Sequence, residues 1–275
     1  MFTLALMDQH TFTHNGWYGR LINASYTELN GERVNLIHGC PPYNIGSKCP
    51  LDKGGRLRGG FDNKSYTGIT DYKDDYPEDV YEQMQLDFLD WCYDHLLVDG
   101  VVVYNHKHRR KNKEILQPER WLLRQKKLRI VDMVTWDKGS TVNHDKTQVW
   151  NHTELFYVMV KAEAKRWYMD TDRDDLSDEH GDSRKTPWYF APQKSWHQAA
   201  MPLKLAMRIV RKWCPPGGKV AEPYAGSATG MLAALLLGRN SIGAENNSQF
   251  FMTCCNEMTL FLQRAKAQMQ TSLPK

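Results

Sequence analysis

Short runs of apolar residues bounded by glycine, proline or charged residues recur along this chain, and they alternate with segments whose apolar residues are spaced three or four apart. Runs of the first kind predict buried strands, and segments of the second kind predict amphipathic helices. The predicted strands cover residues 34–38, 101–104, 128–136, 155–160, 219–221 and 241–244. The predicted helices cover residues 77–97 and 119–127, and a third begins at residue 202. Strands that alternate with helices in this way are typical of an α/β fold.

Two segments interrupt this alternation. Residues 47–70 carry glycines interspersed with charged and amide residues, and loops of this length in compact domains are usually functional or disordered. We therefore expect a flexible loop on the substrate side of the protein. Residues 162–196 are rich in aspartate and aromatic residues and have the weakest periodicity of the chain, so we expect an inserted lobe there. The 275 residues otherwise predict a single domain with one sheet-and-helix core.

The composition indicates a globular protein. Hydrophobic residues make up 41% of the chain, but no uncharged apolar stretch is long enough to span a membrane, and the first ten residues do not resemble a signal peptide. We therefore expect no membrane insertion and a cytoplasmic location. The six cysteines form no C-x-x-C pair and have no histidine at a matching spacing, which argues against a zinc site and against a disulfide framework.

Basic residues are clustered, although the net charge is only +4. Clustered lysine and arginine can neutralise phosphates and give sequence-independent affinity for nucleic acids, but such a run can equally be a solvated face. Two groups are candidate phosphate contacts. One lies within residues 104–113 and comprises Lys107, Arg109, Arg110 and Lys111, and the other lies within residues 47–70 and comprises Lys53, Arg56 and Arg58.

The segment His-Gly-Cys-Pro-Pro-Tyr-Asn at residues 38–44 directly follows an apolar run. Each proline fixes its own φ angle and restricts the residue before it, so residues 40–43 have little conformational freedom; we call them the proline lip. Tyr43 can stack on a flat base, while the Cys40 side chain and the Pro41 carbonyl can accept hydrogen bonds from an amino group. The alternative is a plain proline turn with a buried tyrosine.

A second motif, Ala-Glu-Pro-Tyr-Ala-Gly-Ser-Ala-Thr-Gly, occupies residues 221–230 between a predicted strand and an apolar helical pattern. We call residues 222–228 the glycine turn. A strand that turns into a helix through small residues such as Ala225 and Gly226 brings the backbone close to a ligand. Glu245 ends the next predicted strand, 19 residues after Gly226, at the spacing expected of an acceptor for ribose hydroxyls.

Together and in this order, the two motifs resemble those of the DNA amino-methyltransferases, which transfer a methyl group from S-adenosylmethionine to adenine N6 or cytosine N4. In that family the first motif reads Asp, Asn or Ser followed by Pro-Pro-Tyr, and the second reads Asp-Pro-Phe-x-Gly-Ser-Gly. The first motif precedes the second as in the circularly permuted beta class, and the resemblance covers about residues 34–258. It implies a Rossmann-like methyltransferase fold, with a mostly parallel sheet and helices on both faces.

The resemblance also implies roles for particular residues. The implied catalytic residues are those of the proline lip, Cys40, Pro41, Pro42 and Tyr43. The implied residues for S-adenosylmethionine are Glu222, Pro223, Tyr224, Ala225, Gly226, Ser227, Glu245 and His197. Glu222 could bind the methionine ammonium. The segment at His197 matches the family pattern His-Pro-x-x-x-Pro only in part, since Gln198 replaces the first proline, so a plain helix-entry residue is an equal alternative. No metal is required, because a sulfonium is already a good methyl donor.

Cys40 departs from the family at the position nearest the chemistry. A neutral thiol is a weak hydrogen-bond acceptor, and a thiolate would need a partner that lowers its pKa; His38 is close in sequence. Attack by this cysteine on a cytosine ring carbon is a separate hypothesis, disfavoured because the cysteine of that family follows a proline. Cysteine is close to serine in shape, which favours cytosine N4, whereas the residues after the prolines favour adenine N6, which we place slightly ahead.

The resemblance implies double-stranded DNA as the substrate, with the target base flipped out of the duplex, and target recognition as the role of residues 162–196. A homodimer and a companion restriction enzyme are further hypotheses. Two other interpretations stay open. One is a nucleic-acid-binding relative that keeps the cofactor pocket but has impaired catalysis, and the other is a methyltransferase that acts on RNA or on a small molecule.

Overall fold

A computed structural model describes residues 8–271 except 30, 32, 46–73, 112, 141–148, 150, 176, 194 and 198. The strands are β1 Gln9–His14, β2 Trp17–Ile22, β3 Val34–Gly39, β4 Leu96–His106, β5 Arg109–Lys111, β6 Glu114–Leu116, β7 Leu128–Asp137, β8 Thr153–Lys161, β9 Trp188–Tyr189, β10 Lys219–Glu222 and β11 Asn240–Ala244. The helices are α1 Glu78–His95, α2 Glu119–Leu122, α3 Ser177–His180, α4 Leu203–Trp213, α5 Thr229–Leu236 and α6 Ser248–Thr271. A single 3₁₀ turn covers Tyr26–Glu28.

Nine of the strands form one sheet in the order β1-β2-β11-β10-β3-β4-β8-β7-β9. Its central strands, from β2 to β4, pair in parallel, whereas β1 and β8 each run antiparallel to their neighbours. The strand β10 lies directly beside β3, with Ala221 opposite Ile37, although the two strands are far apart in the chain. Because both strands point the same way, their carboxyl ends meet at one edge of the sheet. The predicted α/β fold with a mostly parallel sheet is confirmed.

Helices cover both faces of this sheet, because neighbouring residues of a strand point to opposite sides. Ile37 of β3 lies in a buried cluster that includes Phe88 of α1. The preceding residue, Leu36, lies in a second cluster that includes Ile209 of α4 and Ala233 of α5. Each face of the sheet therefore has its own apolar core.

The structure corrects two predicted boundaries. The strand predicted at 101–104 begins earlier, at Leu96, because Gly100 does not end an element here. A Cβ atom at Gly100 would lie 2.9 Å from the Asn35 carbonyl oxygen, so glycine permits close packing within the sheet. The helix predicted at 119–127 ends at Leu122, after which the chain turns into β7.

The hairpin of β1 and β2 and the helix α6 had no predicted counterpart. Both pack together in a third apolar cluster, in which Leu21 of β2 and Met231 of α5 are buried with Phe251 and Cys254 of α6. Among the described residues, no helix combines the length and the apolar character that crossing a membrane requires.

Part of the segment 162–196 belongs to the central sheet and its core. Its short strand β9 pairs in parallel with β7, and Trp188 and Phe190 are buried in the core cluster of α4. Asp174 forms a buried ion pair with Arg208 of α4, at 2.6 Å. Target recognition by this segment stays a prediction, and the predicted flexible loop 47–70 lies outside the described residues.

Candidate active site

The two motifs meet at the carboxyl edge of the sheet. The strand β3 leads into the proline lip, and its neighbour β10 leads into the glycine turn. His38 of β3 and Glu222 of β10 are both buried, and His38 Nδ1 lies 3.6 Å from Glu222 Oε1. The contact joins the predicted catalytic segment to the predicted cofactor segment.

Hydrogen bonds hold the proline lip in place. The Tyr81 hydroxyl donates to the Pro42 carbonyl at 2.7 Å and also lies 2.8 Å from His106 Nε2. The Tyr43 ring packs on His106, with 4.8 Å between ring centroids. The Cys40 side chain is partly exposed, and its Sγ lies 3.5 Å from His38 Nε2. The lip is therefore a fixed feature of the structure.

Glu154 is a site residue that the sequence analysis missed. Its carboxylate accepts hydrogen bonds from the Tyr43 hydroxyl at 2.9 Å, from Asn105 Nδ2 at 3.1 Å and from Lys138 Nζ at 2.8 Å. Burial raises the pKa of Glu154, but the charges of Lys138 and Lys107 outweigh burial and hold that pKa below its usual value. An ionised carboxylate thus fixes the Tyr43 ring through its hydroxyl. The strand β8 runs antiparallel to β4, so Glu154 stands at the beginning of a strand, whereas the sequence analysis looked only at strand ends.

Asn44 ties the end of the lip to the start of α1. Its backbone has a left-handed φ of +54°, and its amide Nδ2 donates to the Tyr76 carbonyl at 3.0 Å while its Oδ1 accepts from Tyr76 N at 2.6 Å. Asp74 accepts from Asn44 N at 2.6 Å. These bonds bring residues 44 and 74–76 together, on either side of the segment 46–73.

Glu222 is directed at the amino terminus of α5. Its two carboxylate oxygens accept from Gly230 N at 3.1 Å and from Met231 N at 2.9 Å, where the helix dipole also favours a negative charge. This carboxylate caps a helix, faces His38 and fixes the glycine turn. A role of Glu222 in binding the methionine ammonium stays a prediction.

The glycine turn, His197 and Glu245 lie together. Gly226 has a left-handed φ of +50°, and its N–H donates to Glu245 Oε2 at 2.8 Å. A Cβ atom at Gly226 would lie only 3.1 Å from His197 Nε2. Burial lowers the pKa of His197 to about 4, and its Nδ1 is buried without a hydrogen-bond partner among the described residues. Burial also raises the pKa of Glu245. An unpartnered ring nitrogen and a buried carboxyl beside a close-packed turn suit a polar ligand.

The aromatic and small residues of the turn complete this region. Tyr224 packs on Tyr26 and Phe88, with ring centroids 5.2 and 4.9 Å apart. Ala225 N donates to the Ala244 carbonyl at 2.9 Å, which ties the turn to β11. Pro223 and Ala225 are buried, and the hydroxyl of Ser227 lies 2.8 Å from that of Thr229. All the residues predicted from the second motif therefore gather at one place.

A family model described as DNA methylase, of the N6/N4 type, matches residues 34–254. The match includes both motifs and every strand from β3 to β11. The chain belongs to this family.

Two curated relatives of this DNA methylase family member are type II methyltransferases. M2.MboI of Moraxella bovis is 24% identical over 137 residues, which are 47% of this chain and 50% of the relative. M.SmaI of Serratia marcescens is 30% identical over 100 residues, which are 34% of either chain. The matches thus span half or less of the relatives' own length.

Solved structures share the fold of this chain. The crystal structure of the M1.HpyAVI–SAM complex has a TM-score of 0.56 at 18% identity, and covers 88% of this chain and 99% of its own. The cytosine-N4-specific PvuII DNA methyltransferase has a TM-score of 0.59 at 15% identity, and covers 88% of this chain and 92% of its own.

The structure corrects one of the predicted phosphate contacts. Arg109 is buried, forms an ion pair with Glu78 and has its guanidinium 4.7 Å from the Tyr81 ring centroid, so it is not presented to solvent. Its neighbour Arg110 is exposed and Lys111 is partly exposed.

Lys107, a member of the basic cluster, also lies beside the proline lip. Its Nζ lies 5.3 Å from the Tyr43 ring centroid, and burial lowers the pKa of Lys107. Three further predicted contacts, Lys53, Arg56 and Arg58, lie outside the described residues. A surface role in binding phosphates therefore stays a prediction for Lys107, Arg110 and Lys111.

Proposed function

We propose that this protein transfers a methyl group from S-adenosylmethionine to an exocyclic amino group of a base in double-stranded DNA. Adenine N6 is placed slightly ahead of cytosine N4. The observation that carries the proposal is the contact of His38 with Glu222, which places the proline lip beside the glycine turn at the carboxyl edge of the sheet. Open α/β sheets bind their ligands at this edge. The family match over residues 34–254 supports the same reaction.

The residues around the glycine turn fit S-adenosylmethionine. Glu245 retains lone pairs for ribose hydroxyls beyond its bonds to the N–H groups of Gly226 and Asn247. Nδ1 of His197 is buried and has no hydrogen-bond partner among the described residues, so it can bond a polar group of the ligand. When bound, this cofactor supplies a methyl group activated by a positively charged sulfur. We propose that these two residues hold it together with the residues of the glycine turn, Glu222, Pro223, Tyr224, Ala225, Gly226 and Ser227.

The proline lip would prepare the base. The lone pair of an exocyclic amino nitrogen is delocalised into the ring, so the nitrogen reacts poorly. Hydrogen bonds from its two protons to the Cys40 side chain and the Pro41 carbonyl would favour tetrahedral geometry at the nitrogen and free this lone pair. Tyr43 would stack on the flipped base, and its hydroxyl bond to Glu154 would keep the ring from turning away.

The test is methylation of DNA by the purified protein. Unmodified double-stranded DNA is incubated with the protein and S-adenosylmethionine, and digested nucleosides are identified by mass spectrometry. We expect N6-methyladenine or N4-methylcytosine, and neither in a reaction without S-adenosylmethionine. Binding of the cofactor without any methylated product would favour the binding relative with impaired catalysis, and methylation of RNA alone would favour an RNA enzyme.

We also propose a companion restriction enzyme, a homodimer, target recognition by the segment 162–196 and a cytoplasmic location. The relatives M2.MboI and M.SmaI are both type II methyltransferases, which supports a companion restriction enzyme that cuts the same site when it is unmethylated. A homodimer is expected to give twice the mass of the chain in light scattering. Target recognition by the segment 162–196 predicts that exchanging its exposed residues alters the methylated sequence. Action on cellular DNA agrees with a cytoplasmic location.

A further inference from the structure

Three side chains form a line from the proline lip into the core. Cys40 Sγ lies 3.5 Å from His38 Nε2, and His38 Nδ1 lies 3.6 Å from Glu222 Oε1. Cys40 is partly exposed, whereas His38 and Glu222 are 1% and 5% exposed. Of these three side chains, the reaction proposed above uses only Cys40 directly, while Glu222 fixes the glycine turn through α5.

The positions of these residues in the fold bring the three side chains close together. His38 lies near the end of β3 and Cys40 directly follows this strand, and their side chains lie on the same side, in contact with each other. Glu222 ends the neighbouring strand and is fixed by two N–H groups of α5. A Cβ atom at Gly230 would lie 2.6 Å from His38 Nδ1, so α5 has no side chain where the imidazole sits. The imidazole is thus held between sulfur and carboxylate.

The charges in the line favour a protonated imidazole. Burial opposes protonation of His38, but interactions with Cys40 and Glu222 outweigh it and raise the pKa of His38 to about 10. Of the other titratable groups, Tyr43 faces Cys40 and Cys254 of α6 faces Glu222, and burial raises the pKa of both. A buried cation is stable only with negative partners; Glu222 stands on one side of the ring and the Cys40 sulfur on the other.

We propose that His38 and Glu222 are positioning residues that hold the Cys40 sulfur as a thiolate. A thiolate carries a negative charge, as an aspartate would, so it makes the lip a charged acceptor for the amino group. This role of Cys40 rests on the proposed function. The base nitrogen forms a bond to the methyl carbon with its lone pair, and the electrons of the broken carbon–sulfur bond stay with the donor sulfur. The surplus amino proton passes to Cys40, which releases it to water, and His38 stays protonated throughout.

The test measures alkylation of Cys40 by iodoacetamide, because the thiolate reacts and the thiol does not. The full-length protein without cofactor is labelled between pH 6 and 8, and peptide mass spectrometry follows the Cys40 peptide separately from other cysteines. We expect a nearly constant rate across this range. An ordinary thiol, which ionises near pH 8.5, would instead react roughly tenfold faster for each pH unit. That steep profile in the parent protein would overturn the proposal. This measurement uses only the parent protein, so it does not depend on the folding of any variant.

Variants assign the effect to the pair. His38→Gln is expected to lower the Cys40 rate at pH 6.5 at least tenfold and to restore the steep profile. His14→Gln is the control, since His14 is also buried but lies on the edge strand β1, opposite Trp17 and away from the lip. A folded His38→Gln protein with the parent profile would refute the pair. The alkylation profile is independent of methyl transfer, so parent protein that keeps the flat profile but methylates no DNA would refute only the proposed function.

Discussion

The change Gly226→Ala tests whether the glycine turn holds S-adenosylmethionine. Gly226 has a φ of +50°, and a non-glycine residue in this conformation costs roughly 1–2 kcal/mol. Its new Cβ atom would lie 3.1 Å from His197 Nε2, so the ring or the turn must shift by a few tenths of an ångström. The variant should therefore lose stability and also deform the place where the cofactor is proposed to bind.

The control Gly16→Ala separates these two effects. Gly16 also has a positive φ, +86°, but its Cβ atom would meet nothing within 4 Å. Both variants should lose about 1–2 kcal/mol of unfolding free energy in urea denaturation. Only Gly226→Ala should bind S-adenosylmethionine more weakly in calorimetry, by at least tenfold, or about 1.4 kcal/mol. Equal affinity of Gly226→Ala and the parent protein would refute the assignment of the turn.

Three other predictions concern the lip, the basic surface and the buried histidine. Tyr43→Ala should lower kcat/KM for DNA by an amount equivalent to roughly 1–3 kcal/mol, the free energy of a base–aromatic stack, and should leave cofactor affinity intact. Tyr43→Phe, which loses only the hydroxyl bond, should lower kcat/KM by the equivalent of about 1 kcal/mol. Nearly full turnover by Tyr43→Ala would show that the lip has only a structural role. Changing Arg110 and Lys111 to alanine should flatten the plot of log affinity for DNA against log salt by up to roughly two units, and an unchanged slope would indicate a solvated face. The raised pKa of His38, about 10 against 6.5 when unfolded, means that the folded protein binds an additional proton between these values, so this contribution to stability is complete below pH 6.5 and is lost as pH rises to 10. Below about pH 8.5 this loss is offset, because the proposed Cys40 thiolate holds one proton fewer than the thiol of the unfolded chain. His38→Gln should therefore remove the decline from urea unfolding measured between about pH 8.5 and 10, and an identical decline in both proteins would contradict the assignment.

The position of the site followed from the sequence because it depends on local rules. The lip and the glycine turn each follow an apolar run, and strands of a parallel sheet bring such ends to one edge. The family resemblance added the order of motifs, and the neighbouring position of β3 and β10 agrees with it. The α/β fold was predictable for the same reason, since alternating strands and helices leave few other topologies.

Other parts of the site depend on partners that are distant in the chain. Arg109 and Arg110 are neighbours of the same residue type, yet one is buried against Glu78 and the other is exposed. Neighbouring residues of a strand point to opposite sides, but the sequence analysis predicted no strand here, and only the contacts with Glu78 and Tyr81 of α1 show which side of β5 is covered. Glu154 was missed likewise: its role depends on the antiparallel direction of β8, which the sequence pattern of that strand does not reveal.

His38 lies between these two cases. Its spacing from Cys40 is a local feature, because residues two apart in a strand share a face, so their contact could have been predicted from the sequence. The third member, Glu222, depends on a strand nearly two hundred residues away and on Gly230 leaving room for the ring. The groups proposed to hold the Cys40 thiolate therefore come from two different segments of the chain. For this reason Cys40 taken alone suggests a weak hydrogen-bond acceptor, whereas Cys40 considered with His38 and Glu222 suggests a charged one.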